Sequence, residues 1–403
     1  MNEHRWENTH DGLPKPPEPK HFKELNALRG LAALIVIFYH FRILFPIHDL
    51  TISAWLIWMG VLRLVFSGPE SVIFFFILSG FVLSLPFVRG THQPYGIYLV
   101  RRIYRIYLPY LGALAIGISC AALFHNHPLP LSWVRNTWSK PVELAPVISH
   151  VLFLGDYRGD QFNTAFWSLV VEMRLSILFP FFCLFILKFR PRTVLPMLIA
   201  LSCAGMALDH KWPMKSQPWL TLHYAAMFGL GILMAANLGR LSDTYHRLSK
   251  HIQDAAIGGG LLLFAFGTAG TAGAEYLGKG YMQAGEWLVA LGCFLLIVSS
   301  LNSPGFSKLL SSPIPQWLGN ISYSMYLMHS MVLFAVLHLL YRRIPLLGML
   351  PVFLAATFVV SWLFFLSVER PSARLSRSVG RRPMPNRRER PEADSVPELA
   401  GRS

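Results

Sequence analysis

Charge is scarce in this chain. Only 14% of its 403 residues are Asp, Glu, Lys or Arg, against about 25% in a soluble domain, so a water-soluble fold is excluded. Cysteine is scarce too. Cys120, Cys183, Cys203 and Cys293 all fall in apolar segments without a CxxC spacing. They read as small core residues, with no disulfide framework and no metal site. The signatures of soluble enzymes are missing: no GxSxG, no P-loop, no GxGxxG at a strand end and no HExxH. A serine hydrolase, an ATP-driven pump and a zinc protease therefore lack support. The first 24 residues are polar, carry Pro14, Pro16, Pro17 and Pro19, and lack the short apolar stretch of a signal peptide.

What is present is apolar length. The chain is 53% hydrophobic with mean hydropathy +0.43. A membrane-spanning helix needs about 20 mostly apolar residues. Ten such runs can be read, at 26–45, 69–88, 106–124, 166–188, 193–209, 219–238, 252–270, 284–301, 321–340 and 346–368. The fold class expected is an all-α, polytopic membrane helix bundle of about ten transmembrane helices. The stretch 53–66 is too short to span with Arg63 inside it, and Trp55 and Trp58 suit an interfacial helix.

The net charge of +15 would suggest nucleic acid in a soluble protein. Topology explains it better, and no nucleic-acid partner is expected. With the N-terminus in the cytoplasm, 24 of the 36 Lys and Arg fall on cytoplasmic segments and 9 on the opposite side. By the positive-inside rule both tails are then cytoplasmic. The longest outer loop, 125–165, contains Trp133, Trp138, Asp156, Arg158 and Asp160. It reads either as a cover over an acceptor site or as a plain connection.

The ionisable groups that single themselves out lie in three of these spans and at one boundary. Arg29 and His40 lie eleven residues apart in ELNALRGLAALIVIFYHF. On a helix that spacing puts them about 20° apart in azimuth and about 16 Å apart in depth. Ionisable groups in a span are costly, so a functional role is the default. Arg29 lies near the cytoplasmic face and His40 past the bilayer centre, where a neutral imidazole is a good general base. Glu172, in FWSLVVEMRLSILFP, could orient His40, or it could pair locally with Arg174 or Arg42. Arg102 and Arg105 of RRIYRIYLP, at i and i+3, should project together. With Arg101 they could hold phosphates, or they could serve only as a topology signal. His329 reads more simply as a packing residue.

Six stretches in order resemble one family, membrane acyltransferase family 3, whose O-acetyltransferase-type members modify glycans. They are ALRGLAALIVIFYHF, FFFILSGFVLS, RRIYRIYLP, FWSLVVEMRLSILFP, LGNISYSMYLMHSMVL and VERP, spanning 22–371. Three departures stand out: Asn26 or Ala27 where an acid is usual, Met173 where an aromatic is usual, and Arg174, which is unusual at its position. The resemblance implies a membrane acyltransferase domain over 25–371, between a flexible cytoplasmic tail (1–24) and a basic disordered one (372–403). It implies a plasma (inner) membrane, multi-pass enzyme. The enzyme would have no permanently bound cofactor, with acyl-CoA, most often acetyl-CoA, as donor substrate. The acceptor would be a hydroxyl of a cell-surface or exported glycan or glycolipid. Carried over by position, His40 would be the catalytic base, and Arg29 would assist donor binding or polarise the thioester. Arg101, Arg102 and Arg105 would bind CoA, and Ser79, Glu172, Tyr326 and His329 would line or support the site. A glycan or lipid-precursor transporter or flippase is the competing class. The oligomeric state is left open by the residues.

Overall fold

The computed structural model describes residues 22–45, 60, 62–91, 93–127, 129–131, 134, 137–152, 161–212, 218–268 and 280–380. Among them the secondary structure is helical, with no strand. The elements are α1 (Lys23–Arg42), α2 (Gly68–Val88), α3 (Tyr95–Phe124), α4 (Leu144–Val151), α5 (Phe166–Leu187), α6 (Pro191–Lys211) and α7 (Pro218–Ala236). They continue with α8 (Leu238–Arg247), α9 (Lys250–Phe266), α10 (Gly280–Asn302), α11 (Pro304–Leu310), α12 (Pro313–Leu340) and α13 (Leu346–Ser378). Helices are what an apolar run must form in lipid, because every backbone N–H and C=O has to be paired inside the segment. Proline in the first turn of α2, α6, α11 and α12 fits these starts, since the missing N–H has no helical partner there.

Nine of these helices among the described residues are long and apolar enough to cross a membrane. The tenth expected run, 252–270, forms α9, which has 17 residues. It begins KHIQD, so its apolar part is shorter than the hydrocarbon core. The last helix runs on to Ser378, into the stretch read as tail. Trp55, Trp58, Trp133, Asp156, Arg158 and Asp160 lie outside the described residues. Of the cysteines, Cys183 and Cys293 are buried, Cys120 is half-buried and Cys203 is exposed.

Contacts set the directions of the helices. Asn26 bonds Asn320 at 3.0 Å near the start of α1, and His40 meets His329 near its end, so α1 and α12 run parallel. Phe76 stacks on Tyr224, and Gly80 meets Phe228, so α2 and α7 also run parallel. Gly68 abuts the Tyr39 ring, which turns α2 antiparallel to α1. One end of the bundle therefore carries Arg29, and the other carries His40.

Two apolar clusters make the core, and α1 serves both. Leu25, Ala27, Leu28 and Ala32 pack with α2, α5, α7 and α10. Ala33, Val36, Ile37 and Phe41 pack with α3, α12 and α13. Loop residues Val134, Trp138 and Phe162 are buried in the second cluster, and the Trp138 indole donates to Phe162 O at 3.2 Å.

Small residues let the helices approach. Gly30 faces the Gly319 backbone, and Gly231 faces the backbone of Ile77 and Phe81, so close that a Cβ would collide. Lipid gives no hydrophobic drive between helices, so this close packing holds them together. Gly231→Leu should cut the yield of folded protein sharply and lower its Tm in detergent, because the obstacle is backbone. A Tm equal to wild type would show that α2 and α7 do not depend on that approach.

Candidate functional site

A cavity of about 410 Å³ opens between the two halves of the core, at the Arg29 end. Its polar lining includes Arg29, Ser79, Arg102, Arg105, Ser168, Glu172, Ser322 and Tyr326, and its apolar wall comes mainly from α2. Six of the nine residues nominated from the sequence line it: Arg29, Ser79, Arg102, Arg105, Glu172 and Tyr326.

Arg29 is fixed by the first turns of α12. Its Nε donates to Ser322 Oγ at 2.8 Å, and one terminal nitrogen donates to Gly319 O at 3.1 Å. The same nitrogen donates to Asn26 Oδ1 at 3.0 Å, at one of the two positions where the resemblance would have placed an acid.

Arg102 turns toward α5. It donates to Ser176 Oγ at 2.8 Å and pairs with Glu172 at 3.2 Å, where Ser79 Oγ also donates at 3.3 Å. Arg105 turns toward α13, 3.8 Å from Glu369. Glu369 is 2% exposed and accepts from Ser324 N at 3.2 Å and Ser324 Oγ at 2.6 Å. The two arginines diverge because a π-helical turn, Ile103–Tyr107, begins just after Arg102 and contains Arg105. A π turn holds more residues than an α turn, so the i, i+3 rule of joint projection fails here; such turns often mark functional sites. A second π turn, Phe365–Glu369, carries the Glu369 carboxylate.

Two nominated roles need correction. Glu172, one candidate to orient His40, is instead held by Arg102 and Ser79. It lies in the Arg29 half of the site, on the same face of α5 as Ser176. Arg101 does not line the cavity. It follows one residue before Arg102, so it points about 100° away. There it bonds Gln93 Oε1 at 2.6 Å and Val379 O at 2.8 Å.

His40 and His329 lie beyond the head of the cavity. The closing pair there is Tyr326 and Ser168, with Oη and Oγ 2.6 Å apart. Past it, the Tyr326 and His329 rings are 5.8 Å apart and the His329 and His40 rings 4.7 Å. His40 Nδ1 is 2.9 Å from Val36 O and 3.3 Å from His329 Nε2, and His329 Nδ1 is 3.2 Å from Met325 O. A carbonyl only accepts, so each Nδ1 carries the proton. That leaves His40 Nε2 as its basic nitrogen, with His329 Nε2 accepting from His40. The imidazole is oriented by backbone and by a second imidazole, where a carboxylate was anticipated.

Glu369, the acid of the VERP stretch at the end of the last span, holds Arg105. The sequence reading missed several other groups. Ser176, readable as the i+4 neighbour of Glu172, holds Arg102. His223, whose Nε2 lies 2.9 Å from Glu286 Oε2, forms a histidine–carboxylate pair between two expected spans. Both sit inside expected spans, where any ionisable group is a signal. Glu70 is buried against Arg63 and Thr268, fastening the start of α2 to the end of α9.

The sequence model of an acyltransferase-domain family, acyltransferase 3, matches residues 22–366. The peptidoglycan O-acetyltransferase OatA of Listeria monocytogenes is 22% identical over 385 residues, covering 87% of this chain and 56% of the relative. The chain thus spans about half the length of that relative. No solved structure matches.

Proposed function

The chain belongs to the acyltransferase 3 family over residues 22–366, and from that premise we propose that this multi-pass membrane acyltransferase moves an acyl group, acetyl in the simplest case, from acyl-CoA to a glycan hydroxyl. The relative named above is a peptidoglycan O-acetyltransferase, which supports a sugar hydroxyl as acceptor. The observation that carries the reading is the layout of the cavity. Three guanidinium groups mark one end, a predominantly apolar wall follows, and the Tyr326–Ser168 pair leads to the His40–His329 pair.

In this reading the bundle end with Arg29, Arg102 and Arg105 faces the cytoplasm of a plasma membrane enzyme, as the Lys and Arg bias favours. CoA phosphates take charge-assisted hydrogen bonds from those arginines. The slender pantetheine arm follows the apolar wall, and the thioester reaches the neighbourhood of His40. The rise from Arg29 to His40, about 16 Å, suits that division of labour. His40 Nε2 takes the acceptor hydroxyl proton as the oxygen attacks the thioester carbonyl. The tetrahedral intermediate collapses with loss of the CoA thiolate, which receives the proton back from His40. The sum is ester plus CoA thiol, with no resident cofactor.

Purified protein in lipid nanodiscs should bind acetyl-CoA saturably, and more weakly as salt rises, because exposed charges are screened. Arg105, the most exposed of the three arginines, should contribute: Arg105→Ala should weaken binding about 10-fold, one charge-assisted hydrogen bond. Binding unaffected by Arg105→Ala and by salt would remove the arginines from the donor site.

A further inference from the structure

Behind the cavity wall, at the His40 end, a second polar group belongs to none of the machinery above. Phe76 lines the cavity and stacks on Tyr224 at 4.4 Å. Tyr224 faces Trp167 at 5.7 Å, and Trp167 precedes Ser168 of the closing pair. On its other side the His223 ring lies 4.8 Å away.

His223 is the middle of a chain of donors. The Trp287 indole donates to Ser202 Oγ at 3.2 Å, and Ser202 Oγ lies 2.8 Å from His223 Nδ1. An indole only donates, so Ser202 accepts there, and its hydroxyl still has both a proton and a lone pair for Nδ1. The other ring nitrogen of His223, Nε2, lies on the side of Glu286. The Nε2–Oε2 separation is 2.9 Å, but the two atoms are not aligned for a hydrogen bond, so both keep spare capacity. The chain ends on the Glu286 carboxylate, in the first turn of the candidate span Ala284–Asn302. An ionisable group inside a span is costly and points to use.

Three polar tips around it have no hydrogen-bond partner among the described residues: Glu286 Oε1, the Tyr224 hydroxyl and the Trp167 indole N–H. The Glu286 side chain is 18% exposed, and Tyr224 is buried at 8%. They supply one acceptor, one donor-acceptor and one donor, on two rigid aromatics and a tethered carboxylate. A ligand rich in hydroxyls satisfies all three. An apolar chain would leave them unpaired, which is costly, and a phosphate would meet a negative charge.

We propose that Trp167, Tyr224 and Glu286 form the recognition site for a sugar ring of the acceptor. The proposal rests on the glycan acceptor read above and adds where that glycan is held. It puts the acceptor at the same end of the bundle as His40 and directly behind the head of the donor cavity, on the side away from the arginines.

The test is direct binding, independent of turnover. Titrate a soluble β-1,4-linked N-acetylhexosamine tetrasaccharide into nanodisc protein by calorimetry. Wild type and His40→Ala should bind alike, while Tyr224→Phe and Glu286→Gln should each bind about 10-fold more weakly, as expected for one lost hydrogen bond, stronger to a charge. Tyr224→Phe keeps the ring stack and so the fold, and acetyl-CoA binding by both variants should equal wild type. No saturable sugar binding by wild type, binding by the two variants as tight as by wild type, or heat that follows sodium instead of sugar would overturn the proposal. Failure of the acyl-CoA reading would show separately, as absent acetyl-CoA binding by wild type.

Discussion

His40→Ala should abolish transfer while leaving the donor bound. General acid–base catalysis contributes about 10²–10⁴-fold, so kcat should fall by that factor. Acetyl-CoA affinity should stay within about twofold, because His40 lies beyond Tyr326, outside the cavity that holds the arginines. His329→Ala should do less. It removes the acceptor 3.3 Å from His40 Nδ1, but Val36 O at 2.9 Å still fixes the tautomer. A loss of about 10–100-fold, the usual cost of removing an orienting partner, is expected. Stopped assays of CoA release against acetyl-CoA concentration separate the two effects. A His40→Ala enzyme with wild-type kcat would remove His40 from the chemistry.

Arg102→Ala should have two consequences that a second substitution separates. Arg102 reaches Glu172 and Ser176, and it lines the cavity. Its removal takes one guanidinium from the donor phosphates, and acetyl-CoA affinity should fall about 10–100-fold, or about 1.5–3 kcal/mol for a charged hydrogen bond. It also strands Glu172, whose side chain is 23% exposed, so part of the penalty is relieved by water. Tm should fall by a few degrees. Arg102→Ala with Glu172→Gln should recover the Tm and leave donor affinity weak. Recovery of both would make Arg102 a structural partner of Glu172 and nothing more.

The run lengths in the sequence predicted the helices because in lipid the backbone leaves no alternative. The Arg29–His40 spacing also held: both side chains face α12, one on Ser322 and one on His329. Helical spacing within one element is a local property, so it survives folding. Pairings between elements are not local. Nothing in FWSLVVEMRLSILFP says that Glu172 meets Arg102 of α3, and nothing in RRIYRIYLP announces the π turn that sends Arg102 and Arg105 to different carboxylates. The link from His223 to Glu286 spans α7 and α10 and needs the packed bundle to be seen. The presence of each ionisable group was legible, but its partner was not.

Acyl transfer and transport differ in what becomes of the acetyl group. Reconstitute the protein in liposomes, supply acetyl-labelled acetyl-CoA on one face, and offer the N-acetylhexosamine tetrasaccharide. The account predicts label on the oligosaccharide in step with free CoA thiol, lost in His40→Ala. Unlabelled oligosaccharide, with acetyl-CoA intact or carried whole across the bilayer, would contradict it.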